Sequence, residues 1–77
     1  MIKIDFSKFH TKQELHLYLK QQCQFPDYYG CNLDALYDCL TDDKHSFEIF
    51  IQEFNEYQIA VINTIKEAGC EVIIKEE

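Results

Sequence analysis

Ile2, Ile4 and Phe6 alternate with Lys3 and Asp5, the two-residue period of a strand with one covered face. The pattern then changes. Thr11, Lys12, Gln13, Glu14 has the Thr-x-x-Glu form of a capping box, and Leu15, Tyr18 and Leu19 recur at helical spacing, which predicts a helix over Thr11–Cys23. Pro26 ends any continuation and biases Phe25 toward an extended conformation. Gly30 permits a tight turn, and Asn32 is suited to cap a second helix running to about Leu40 that buries Leu33, Leu36 and Leu40. The Ile- and Phe-rich run Phe47–Phe54 reads as a second strand. Val61, Ile62, Ile65 and Ala68 carry helical spacing from about Glu56, and Gly69 is the expected stop. Val72, Ile73 and Ile74 form a continuous apolar triplet, as in a strand covered on both faces. The order β-α-α-β-α-β predicts an α/β fold, a three-stranded parallel sheet packed by helices through right-handed crossovers. There are no repeats, low-complexity tracts or linkers, and only Thr41–Ser46 reads as a mobile loop.

Length makes this a single domain over residues 1–77, near the size at which one core supplies only about 3 to 5 kcal/mol net. An apolar share of 47%, with six Phe and five Tyr, argues for a packed core that folds without a cofactor. Charge narrows the functions further. A formal net charge of −7 repels nucleic acid and anionic membrane and favours a cationic protein partner. A nuclease needs cations to hold phosphate, so the chain is poorly suited to be one. No basic region precedes a long apolar stretch, so the expected location is cytoplasmic. Cys23, Cys31, Cys39 and Cys70 match neither the close pairs of a zinc site nor a thioredoxin-like motif, and reduced thiols are expected.

Asp34 and Asp38 lie one helical turn apart, so both carboxylates leave the second helix on one side, where like charges cost about 0.2 to 0.5 kcal/mol. Asp34, in the first turn, is favoured by the helix dipole; Asp38 has no such support, and Asp42 and Asp43 oppose the dipole at the other end. Charges placed against local preference point to a functional surface. Tyr28, Tyr29 and Tyr37 border these carboxylates as aromatic anchors border charges at protein interfaces. One of the adjacent tyrosines should pack inward, and spacing does not say which. The carboxylates lack the EF-hand order of acids, glycine and final glutamate, so no metal is assigned. His10, His16 and His45 share no helical spacing with one another or with a cysteine. They read as surface or boundary histidines, and no enzymatic activity is expected.

The run from Pro26 to Leu40, with Asp27, Tyr28, Tyr29, Gly30, then Asn32, Leu33, Asp34, Ala35, Leu36, an aromatic at Tyr37, and Asp38, Cys39, Leu40, resembles the signature of the barstar family. Its members are small intracellular inhibitors of secreted bacterial ribonucleases. Elsewhere the likeness is one of pattern, anchored by Gly69-Cys70 before the last strand. The resemblance implies that the partner is a basic, barnase-like ribonuclease, that Asp38 enters its phosphate site, that Tyr28 packs on its catalytic histidine, and that Asp34 pairs with a basic residue at the rim. Gly30, Asn32, Leu33 and Tyr37 match further contact positions. The inhibitor would be monomeric when free and would act by occlusion. Three positions depart from the pattern. Tyr37 stands for a tryptophan, Cys31 for a polar or acidic residue, and Thr64 for a contacting glutamate of the last helix, a loss that Glu67 could replace. The chain is also shorter than the prototype between Leu40 and Gln58. The alternatives left open are an immunity protein (antitoxin) against a related or non-ribonuclease toxin, and a regulatory protein-binding module with an acidic face.

Overall fold

A computed structural model of the chain describes residues 1–52 and 55–76. In chain order it has strand β1 (Ile2–Asp5), a 3-10 turn (Phe6–Lys8), helices α1 (Lys12–Cys23) and α2 (Leu33–Asp42), strand β2 (Ser46–Ile51), helix α3 (Glu56–Glu67) and strand β3 (Glu71–Glu76). The strands pair in parallel in the order β1-β2-β3. The fold is therefore the expected β-α-α-β-α-β arrangement. Two crossovers advancing in one direction with the usual right hand place all three helices on one face of the sheet. Ile4, Phe47 and Ile49, at alternate strand positions, are fully buried there with Leu15, Leu19, Leu36, Leu40 and Ile65. The opposite face carries Lys3, Glu48 and Lys75, with Lys75 Nζ 2.8 Å and Lys3 Nζ 3.8 Å from the Glu48 carboxylate.

The helix boundaries follow from local chemistry. Thr11 Oγ1 accepts from the Glu14 amide at 3.1 Å, capping α1, while the Glu14 carboxylate accepts from the His10 amide at 3.4 Å, one residue before the reciprocal position of a capping box. Gln24, at φ 56°, closes α1 in the left-handed region. Gly69, at φ 90°, does the same after α3, where glycine carries no steric penalty.

Several expectations need correction. β3 is an edge strand, so Val72 is half-buried and Ile73 and Ile74 are 39% and 37% exposed; the apolar triplet is not covered on both faces. β2 ends at Ile51, and Phe54 lies outside the described residues. α2 continues to Asp42, with the Thr41 hydroxyl donating to the Tyr37 carbonyl at 2.7 Å. The loop before β2 is thereby shortened to Asp43, Lys44 and His45. His16 is buried, not at the boundary, because α1 turns it toward the segment that follows the helix.

Candidate functional site

Between α1 and α2 the chain makes two reversals. The Tyr29 amide donates to the Pro26 carbonyl at 2.9 Å, closing a turn around Asp27 and Tyr28. This turn resolves the tyrosine pair. Tyr28 is 87% exposed, whereas Tyr29 is 6% exposed, its ring 4.8 Å from that of Phe25 and 5.8 Å from that of His16. Tyr29 Oη lies 2.6 Å from His16 Nδ1. Burial holds Tyr29 protonated well above the usual phenol range and, with Lys12 as the lesser cause, holds His16 below the usual imidazole range. The pair is therefore neutral at neutral pH.

The second reversal does not use Gly30 as a left-handed residue. Cys31 takes that conformation, at φ 53°. The requirement at Gly30 is space, since a Cβ there would lie 3.0 Å from Asn32 Nδ2. Asn32 joins loop and helix. Its Oδ1 accepts from the Ala35 amide at 2.8 Å as the cap of α2, and its Nδ2 donates to the Gly30 carbonyl at 3.4 Å.

α2 divides by its 3.6-residue period. Leu36 and Leu40 are fully buried, and Asp34, Asp38 and Asp42 project from the other side, all exposed. Leu33 lies on the side of Leu36 and Leu40, and Tyr37 at its border, yet they are 38% and 42% exposed. Leu33 is thus not the core residue its spacing suggests, because the first turn of α2 overhangs a groove of about 450 Å³ whose walls include Lys12, His16, Leu33, Asp34, Tyr57 and Val61. Among the described residues no cation lies within ion-pair distance of Asp34, Asp38 or Asp42. Their field reaches inward. Burial first, then Asp38 and Asp42, pushes the Cys39 thiol up, and burial pushes Cys23 up to about 12. Both stay thiols, poor nucleophiles and poor metal ligands.

Seven of the eight residues selected from sequence, Tyr28, Gly30, Asn32, Leu33, Asp34, Tyr37 and Asp38, therefore lie on the exposed turn and the first two turns of α2. Thr64 lies on α3, buried, with its hydroxyl donating to the Ala60 carbonyl at 2.8 Å, while Glu67 is exposed at the end of that helix. Sequence reasoning missed His16, whose partner Tyr29 is thirteen residues away. The available signal was an apolar helix face, Leu15 and Leu19, that His16 extends.

Known proteins are similar to this chain in sequence. The family model described as Barstar (barnase inhibitor) matches residues 1–69. A Bacillus subtilis (strain 168) protein named "Putative ribonuclease inhibitor YrdF" is 58% identical over 40 residues, which are 52% of this chain and 44% of that protein. The matched segment thus spans less than half of that relative.

Proposed function

Because the chain belongs to the barstar family, we propose that it is an intracellular inhibitor, acting in the cytoplasm as an antitoxin that occludes the active site of a basic microbial ribonuclease. The observation that carries this reading is the row of exposed carboxylates on α2, with no cation in ion-pair distance among the described residues, together with the exposed Tyr28 in the turn that precedes the helix. Carboxylates desolvated against a cationic active site imitate the phosphates of RNA, and the inhibitor performs no chemistry. Asp38, in the middle of α2, enters the phosphate site. Tyr28 stacks beside it, and Asp34 pairs at the rim. Gly30 and Asn32 present backbone and amide edges, and Leu33 and Tyr37 seal the apolar border against water. A net charge of −7 speeds encounter with a basic enzyme and disfavours nucleic acid itself.

The test is titration of the purified protein into a barnase-type ribonuclease while RNA cleavage is followed, with Asp38→Ala and Asp38→Asn checked for folding. Stoichiometric inhibition by the wild type, lost in both folded variants, is the expected result. A wild type that leaves cleavage unchanged rejects this enzyme class. The burial of Thr64, where the prototype presents a glutamate, favours one second reading: the same face serving as an immunity protein against a different basic toxin. Inhibition of a toxin encoded beside this chain, without inhibition of the ribonuclease, would select it.

A further inference from the structure

His16 is a buried polar side chain with no part in the occluding face, yet it holds the residue next to that face. Tyr28 and Tyr29 are neighbours that point in opposite directions. Which of them is outside is not decided by either side chain alone, since both are tyrosines on one turn. The turn itself is closed by a single backbone bond, Tyr29 amide to Pro26 carbonyl. Tyr29 is distinguished by what meets it inside: the Phe25 ring, the His16 ring, and His16 Nδ1 at 2.6 Å from its hydroxyl. A phenol buried without a partner is costly, so the inward rotamer of Tyr29 depends on an acceptor or donor at that depth. The next residues, Gly30 and the left-handed Cys31, continue directly into the Asn32 cap.

We propose that His16 is a positioning residue of the contact loop: by binding the Tyr29 hydroxyl it fixes Tyr29 inward and thereby holds Tyr28 and Gly30 in the arrangement that a partner meets. This rests on the occlusion reading above for its consequence, and on the free molecule alone for its geometry. Either imidazole tautomer serves, because the hydroxyl can donate to a bare Nδ1 or accept from Nδ1–H. The side-chain amide of asparagine places polar atoms at the depth of Nδ1 and can do the same. Leucine fills the space and leaves the hydroxyl unpaired.

The experiment uses the full chain with His16→Asn, His16→Leu and the double variant His16→Leu/Tyr29→Phe. Inhibition of a barnase-type ribonuclease is measured, and amide resonances of Gly30 and Cys31 are followed in the free proteins. His16→Leu is expected to weaken inhibition about tenfold and to broaden both amides by exchange, while His16→Asn retains wild-type inhibition and sharp amides, and the double variant, with no hydroxyl left unpaired, regains both. Unchanged Gly30 and Cys31 amides in folded His16→Leu overturn the proposal, as does His16→Asn behaving like His16→Leu. Should His16→Leu fail to fold, His16→Met, which fills the space and leaves the hydroxyl without a comparable partner, decides. If the wild type inhibits no ribonuclease, the occlusion reading fails, and the amide measurements still settle the role of His16.

Discussion

Two carboxylate settings on this acidic chain differ in one respect. On the outer face of the sheet, Glu48 sits between Lys3 and Lys75, and its carboxyl is held below the usual range first by the hydrogen bond from Lys75 and then, against burial, by the charges of Lys75 and Lys3. On α2, Asp34, Asp38 and Asp42 stand at successive turns with no cation in reach among the described residues. The first setting is complete within the molecule. The second is incomplete, and its like charges one turn apart work against the helix that carries them. A carboxylate already paired contributes to the fold, whereas an unpaired row is what a cationic partner could complete.

That contrast breaks most sharply at Asp38. Asp38→Ala is expected to weaken association with a basic ribonuclease by about 2 to 5 kcal/mol, roughly 30-fold to several-thousand-fold. That range draws partly on the barnase–barstar pair itself, so it carries no independent weight for a member of the same family. The informative part is the opposite sign elsewhere. The same substitution removes repulsion with Asp34 and Asp42 and installs a better helix former, so urea unfolding should shift toward higher stability by a few tenths of a kcal/mol, about 0.2 to 0.5 per relieved pair. A loss of stability parallel to the loss of inhibition would identify Asp38 as structural.

Asn32 lies at the junction of loop and helix and should respond in both measurements. Asn32→Ala removes the cap of α2 and the tie to the Gly30 carbonyl, at an expected cost of about 0.5 to 2 kcal/mol in unfolding free energy. Inhibition should fall with it. Asp34→Asn is smaller in both. The first-turn dipole that favours Asp34 and the repulsion from Asp38 nearly offset, and a rim pair is worth about 0.2 to 1 kcal/mol. Its distinct signature is kinetic: the association rate should lose part of its dependence on ionic strength, as read by stopped flow at increasing salt.

The parts of this molecule legible in sequence are those decided within a few residues. Thr11, Asn32 and Gly69 marked helix ends because capping and left-handed closure are local chemistry, and the leucines of α2 marked its core side. What depends on a distant neighbour was not legible. Tyr28 and Tyr29 differ in what packs on Tyr29, the Phe25 ring and His16, and His16 is brought by α1 from thirteen residues away. Leu33 repeats the spacing of Leu36 and Leu40, but no element covers the first turn where it lies. The Val72–Ile74 run fits a central strand as well as the edge strand it forms, since three residues carry no information on what covers each face. Cys31, a residue type that gives no such signal, takes the left-handed conformation, while Gly30 answers to the space that Asn32 occupies.

The smallest effect is the pH dependence of stability, at the paired Glu48 and at the buried His16. Glu48 and His16 both have lowered native values, one by pairing and the other chiefly by burial, from ordinary values of 4.5 and 6.5. A lowered native value means that the unfolded chain binds the proton first as pH falls. Each group then contributes stability that is present above its unfolded value and is lost as pH drops through its native one. The windows do not coincide. Unfolding midpoints should begin to fall below about pH 6.5 through His16 and again below about pH 4.5 through Glu48. Glu48→Gln should flatten the lower limb and leave inhibition at neutral pH intact, because the sheet face is complete without a partner. His16→Asn should flatten the upper limb. If Glu48→Gln instead weakened inhibition, the outer face of the sheet would belong to the interface, and the separation between the paired and the unpaired carboxylates would no longer follow function.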